Sequence, residues 1–199
     1  LNIPFISIPT SVAHDGIASD RASLKSNNTS TSVNAVSPIA IIADTAVINE
    51  APYRYLAAGC ADVISNLTAL EDWDLSNRIT GEDLSSSSVI ISRYAAEELI
   101  SNCRNIKPGL EESVWFVMKP IIASGVSMLI AGSSRPTSGS EHMFSHALDV
   151  IRPDTALHGE QCGVGTIMMM KLHGGNWERI RDALKSIGAP TTAKELGFT

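Results

Sequence analysis

His142 and His146 stand four apart in SGSEHMFSHALD, Ser138 to Asp149, where Met143, Phe144, Ala147 and Leu148 recur at helical spacing. Both imidazoles therefore leave one face of one helix, which is how a helix presents two nitrogens to a single site. His158 follows in LHGEQ, after Arg152 and Pro153 have ended that helix, and it precedes the next helical stretch, QCGVGTIMMMKL. Neutral imidazole is the commonest protein ligand for zinc, and a catalytic zinc keeps three protein ligands and one open position. A carboxylate from elsewhere would complete the set. Asp62, in a stretch of small and apolar residues (AAGCADVISNLTALEDW), is the candidate. Spacing alone leaves a second reading open, with the histidines as a polar helix face and Asp62 as a capped or surface carboxylate. Asp15, in AHDG just after an apolar strand, is likewise either turn chemistry or a site residue, because ligands in α/β sheets bind beyond the carboxyl ends of strands.

The elements that must position these residues follow from composition and period. A chain of 199 residues with 44% hydrophobic and 18% charged residues has the material for one substantial core or two small ones. The net charge of -6, with no cluster of Lys or Arg, excludes nucleic acid as a main partner. The longest apolar run, Pro120 to Gly132, is interrupted by serines and shorter than the roughly 20 residues of a membrane span, so it reads as a buried helix. Cys60, Cys103 and Cys162 are an odd, widely spaced set without CxxC, which suits packing roles in a reduced, cytoplasmic compartment. The first residues, LNIPFISIPTS, lack the basic stretch of a secretory signal and read as the continuation of a longer chain.

Ile3 to Pro9 and Ile39 to Ala43 read as buried strands, each ended by polar residues, with Ser26 to Ser32 as an exposed loop or hairpin tip. From Tyr53 the period becomes helical. Helices are expected near Tyr53 to Leu70, Ser85 to Asn102, Leu110 to Ala131, Ser140 to Val150, Gly159 to Leu172 and Trp177 to Ile187, with a kink or break in the third at Pro120 and Gly125. The expected fold is mainly α: an all-helical metal-binding domain over residues 51–199, preceded by a two-strand remnant of an α/β Rossmann-like domain over residues 1–50.

Taken together, PTSVAHDGIAS, IIADT, AGCADVISNLTALEDW, SRPTSGSEHMFSHALD, ALHGEQCGVGTIMM and LHGGNWERIRDALKSIGAPTTAKELG resemble the archaeal-type sn-glycerol-1-phosphate dehydrogenase family. That family is related to iron-containing alcohol dehydrogenases, glycerol dehydrogenase and dehydroquinate synthase. The resemblance runs over almost the whole chain. It implies a zinc-dependent reduction of dihydroxyacetone phosphate by NAD(H) or NADP(H), giving sn-glycerol 1-phosphate for glycerophospholipid biosynthesis. By matching position, it implies zinc ligands Asp62, His142 and His158, substrate contacts at Asp15, Asp62 and His146, a catalytic role for Asp62 and His146, and cofactor contacts at Thr10, Ser11, Val12, Ala13 and Ser19. Arg135, seven residues before His142, stands where related dehydroquinate synthases carry an arginine for a phosphate group, although a loop salt bridge explains it equally well. Asp20 and Asn176 depart from the residues usual in the family, outside the implied chemistry.

The family's glycine-rich pyrophosphate loop has no counterpart here. GVG at Gly163 to Gly165 lies inside a helical stretch, and LHGGNW at Leu172 to Trp177 reads as a helix end. The expectation is a part of the enzyme without roughly a hundred residues of nucleotide-binding domain, about one ordinary small domain, and hence without tight NAD binding. A homo-oligomer is compatible with this reading. The rival readings are a non-catalytic metal-binding helical module and a lyase of dehydroquinate synthase type.

Overall fold

The computed structural model describes residues 3–26 and 29–198. In chain order they form β1 (Ile6–Ser7), a 3-10 turn (Asp15–Ala18), β2 (Arg21–Ser26), β3 (Thr29–Asn34), β4 (Ala40–Ile41), α1 (Thr45–Asn49), α2 (Tyr53–Ile64), α3 (Asn66–Thr80), α4 (Ser86–Asn102), a second 3-10 turn (Cys103–Asn105), α5 (Glu111–Ala131), α6 (Ser140–Ile151), α7 (His158–Leu172) and α8 (Trp177–Ile187). The chain is mainly helical, as its period from Tyr53 onward implies. Strands are confined to two two-stranded sheets among the described residues.

β1 and β4 pair in parallel, Ile6 opposite Ala40 and Ser7 opposite Ile41. The sequence placed these two strands in a buried layer, and the structure does not: Ile3, Ile8 and Ile39 are 62%, 65% and 69% exposed. Parallel strands are normally covered on both faces, and this pair is not. β2 and β3 form an antiparallel hairpin from Arg21 opposite Asn34 to Ser26 opposite Thr29. Of the two readings of Ser26 to Ser32, an exposed loop or a hairpin tip, the structure has the hairpin, with the strands reaching to Ser26 and Thr29; residues 27–28 lie outside the described residues.

The helix expected over Tyr53 to Leu70 is two helices that meet at Ser65. The Ser65 hydroxyl, fully buried, donates to the carbonyl of Asp62 at 2.5 Å, offering that oxygen an alternative to the helical ladder. Of the kink or break expected in α5, the break does not occur: the helix runs through Pro120 and Gly125. It is long and apolar enough to cross a membrane by length and composition, and half of that stretch is buried here. Gly125 has a different use. A Cβ there would lie 2.6 Å from the Cβ of Ala18 and 3.0 Å from the carbonyl of Asp15, so the bare backbone lets the 3-10 turn rest on α5.

The core is centred on α2, where Ala57, Ala58, Cys60, Ala61, Val63 and Ile64 are at most 3% exposed. Small residues allow backbones to touch it from two sides. A Cβ on Gly59 would lie 1.9 Å from the carbonyl oxygen of Val12, and one on Gly159 would lie 2.1 Å from that of Ala58. Val12, Ala18 and Ile48, from the strand-bearing segment, are buried together with the helical residues. The first contact holds the Val12 segment on α2, and the second holds the start of α7, so the two glycines fix the ends of the chain that converge on Asp62. Because the obstructing atoms are backbone, Gly59→Ala should lower unfolding free energy by about 1–3 kcal/mol, read as a reduced urea midpoint with an unchanged slope.

Candidate metal centre

Asp62 projects from the last turn of α2 and is 3% exposed. Its Oδ2 accepts from the backbone N–H of Asp15 at 3.0 Å, while its Oδ1 has no hydrogen-bond partner at all. Nε2 of His142 lies 3.8 Å and Nε2 of His158 3.7 Å from Oδ1. A buried carboxylate oxygen without a donor is costly. One group offered by each of Asp62, His142, His158 and Cys162 lies within 4.8 Å of the others, so the chain has a donor set of metal-binding size around an Oδ1 without a hydrogen-bond partner among the described residues.

The surrounding hydrogen bonds aim both imidazoles. Nδ1 of His142 lies 2.8 Å from Oε1 of Glu141, which can only accept when ionised, so Nδ1 carries the proton and Nε2 faces Asp62. For His158 the deduction is longer. The Gln161 amide donates to Asp149 at 3.1 Å, which turns its oxygen toward Ser145; the Ser145 hydroxyl donates to that oxygen at 2.6 Å. Ser145 Oγ, 3.0 Å from Nδ1 of His158, is then left to accept. His158 is therefore also protonated at Nδ1 and presents Nε2 to the same point. α6 and α7 pack closely enough for this chain because Gly165 passes the backbone of Glu141, where a Cβ would lie 3.1 Å from its carbonyl oxygen.

Electrostatics concentrate at the same point. Burial raises the Asp62 carboxyl, with the charge of His142 opposing. Burial would lower His142, but Cys162 and Glu141 together hold it well above the ordinary imidazole value. His158 is pushed down to about 3, by burial and then by the positive charge of His142. Cys162 is raised to about 11 by burial and stays a thiol; its sulfur lies 3.5 and 4.0 Å from the two nitrogens of His158, along the flank of the ring.

A cavity of about 600 Å³ opens onto the cluster, and Asp15, Ser19, Asp62, His142, His146 and His158 all line it. Thr10, Ser11, Val12 and Ala13 do not, and the Val12 side chain is in the core at 1% exposure. Arg135 also stands outside the wall, with its guanidinium in a bidentate pair to Glu82 at 2.7 Å for both bonds. The loop salt bridge, one of the two readings of this arginine, is the contact it makes. Sequence reasoning passed over Glu141, Ser145 and Gln161, and treated Cys162 as packing. Its spacing of four from His158 was the available signal. Arg54, which reaches the cavity mouth, is held by Glu160 through two bonds of 2.6 Å, and Glu160 also accepts from the backbone N–H of Leu157 at 2.8 Å, fixing the first turn of α7.

Among known proteins, the family description "iron-containing alcohol dehydrogenase" matches residues 1–52. Over 198 residues the chain is 61% identical to a glycerol-1-phosphate dehydrogenase (NAD(P)+) of Methanosarcina mazei, and over 194 residues it is 58% identical to one of Methanothermobacter thermautotrophicus. These alignments cover 100% and 98% of this chain, which spans 56% of each relative's length. In structure it is similar to a probable glycerol dehydrogenase of Sinorhizobium meliloti (TM-score 0.81, 19% identity, 98% of this chain and 58% of that one). It is also similar to a glycerol dehydrogenase of Schizosaccharomyces pombe (TM-score 0.80, 22% identity, 99% and 53%).

Asp15 gives a stability test independent of any ligand. Burial and then the charge of Asp62 raise its carboxyl from 3.8 to about 6, against the help of a 2.8 Å bond from Ser124. Between those values the folded state holds a proton that the unfolded state has lost, so stability falls as pH rises and the full cost is present above pH 6. In metal-free protein, Asp15→Asn should therefore be more stable than the parent at pH 8, with the advantage gone near pH 4; urea titrations at the two values measure it.

Proposed function

We propose that this chain, which resembles glycerol-1-phosphate dehydrogenases over its whole length and has the fold of the iron-containing alcohol dehydrogenase group, carries the metal and substrate side of an oxidoreductase. The reaction is the reduction of dihydroxyacetone phosphate to sn-glycerol 1-phosphate by NADH or NADPH. Residues 51–199 supply the metal ligands and His146, and residues 1–50 supply Asp15 and the segment that meets the nucleotide. The observation that supports this most is the partnerless Oδ1 of Asp62, buried between two Nε2 atoms. Asp62, His142 and His158 would hold a zinc ion, an oxygen and two imidazoles being a donor set typical of catalytic zinc.

When bound, such an ion supplies Lewis-acid polarisation of the substrate ketone. The chain's own groups do the rest. The Asp15 backbone N–H holds Asp62 in place at 3.0 Å, and the Asp15 side chain, at the cavity wall, is a hydrogen-bonding group for the substrate hydroxyl. His146 lines the cavity one helical turn from His142, with its ring 6.2 Å from that of His158. Burial and then the charge of His142 lower its pKa, which keeps it neutral near pH 7 and able to exchange a proton with a substrate oxygen. Thr10, Ser11 and Ala13, outside the cavity wall, and Ser19, on it, are the contacts offered to the nucleotide; the Val12 side chain is taken up by the core.

Equilibrium dialysis of the 199-residue chain should find one zinc per chain, with affinity reduced by at least about 100-fold in Asp62→Asn and in His142→Ala, each of which removes a ligand. Cys162→Ser should leave the stoichiometry at one, because the sulfur lies on the flank of His158. In a complete enzyme containing this chain, His146→Gln should keep its zinc and lose turnover of dihydroxyacetone phosphate by about 100-fold or more. Retention of zinc by Asp62→Asn at parent affinity would refute the ligand set.

A further inference from the structure

Glu141 is a carboxylate with no exposure at all, and it lies outside the proposed ligand set. Three donors from three places converge on it. Its Oε1 accepts from the backbone N–H of Gly139 at 2.7 Å and faces Nδ1 of His142 at 2.8 Å, and its Oε2 accepts from the hydroxyl of buried Thr68, in α3, at 2.8 Å. Gly139 is required for that convergence. A Cβ there would lie 2.5 Å from Oδ2 of Asp72, 2.8 Å from the Cα of Ala69 and 3.0 Å from Oε2 of Glu141. A carboxylate offers an acceptor at both oxygens, whereas a glutamine would set an amide NH2 against one of these donors.

We infer that Glu141 is a positioning residue for the metal centre, holding His142 with Nδ1 protonated and Nε2 turned to Asp62. Asp62 and Glu141 flank His142 on its two nitrogens, Nε2 lying 3.8 Å from Oδ1 of Asp62 and Nδ1 2.8 Å from Oε1 of Glu141. Carboxylate partners of metal-bound imidazoles act in this way generally, by fixing orientation and raising ligand basicity. The inference rests on the ligand set proposed above and adds a residue that touches neither metal nor substrate.

The test compares zinc binding by the 199-residue chain and by Glu141→Gln, using chelator competition, alongside long-range proton–nitrogen correlation spectra of the zinc-loaded parent. Glu141→Gln should bind zinc about 10- to 100-fold more weakly. The parent spectrum should show His142 protonated at Nδ1, with a downfield resonance that moves upfield in the variant. Unaltered zinc affinity in folded Glu141→Gln, or a parent spectrum in which His142 binds metal through Nδ1, would overturn the role of Glu141 while leaving the ligand set standing. The second measurement needs no variant, so it decides the matter even if Glu141→Gln does not fold. A parent that binds no zinc would remove both the ligand set and this inference.

Discussion

One unsatisfied oxygen organises this structure. Oδ1 of Asp62 is buried in the last turn of α2, whose stretch from Leu56 to Ile64 is otherwise small or apolar, and no donor among the described residues reaches it. Such an atom persists only if the surrounding structure over-determines it. Here the restraint is strong: Oδ2 is held by the Asp15 backbone, α2 is clamped at Gly59 and by Gly159 of α7, and the two imidazoles nearest Oδ1 are each held from behind by hydrogen bonds. The polar residues of α6 and α7 are thus arranged around Oδ1, at the wall of the cavity that opens onto it.

The part of this that was legible in the sequence is the part governed by local period. Four-residue spacing puts His142 and His146 on one face, and both line the cavity. The helices after Leu70 lie within a residue or two of where apolar period and glycine or proline punctuation placed them. Other features depend on contacts that spacing cannot show. Ser65 divides one apparent helix because its hydroxyl bonds to a carbonyl three residues back, and nothing in its neighbours distinguishes it from a serine that points to solvent. Gly125 looked like a weak point of α5 and is instead the place where a turn from another part of the chain lands.

Burial of the strands was misjudged for a related reason. A run of Ile and Phe reports a preference for burial but says nothing about what covers it, and in this chain Ile3, Ile8 and Ile39 remain exposed. Glu141 was invisible for the opposite reason. Within SEHMFSH it looks like an ordinary first-turn acid suited to the helix dipole, and its burial becomes apparent only when Thr68 and Gly139 close over it. Cys162 looked like filler and is in fact one turn from His158, against its ring.

The uncovered β1 and β4 pair has a practical consequence. Each strand has only the other as a neighbour among the described residues, so each offers one free edge of backbone donors and acceptors, flanked by exposed Ile3, Phe5, Ile6 and Ile39. Edges of that kind template pairing with other chains. At high concentration those free edges are where this polypeptide should pair with copies of itself, and a solubility partner placed beside β1 should reduce that association.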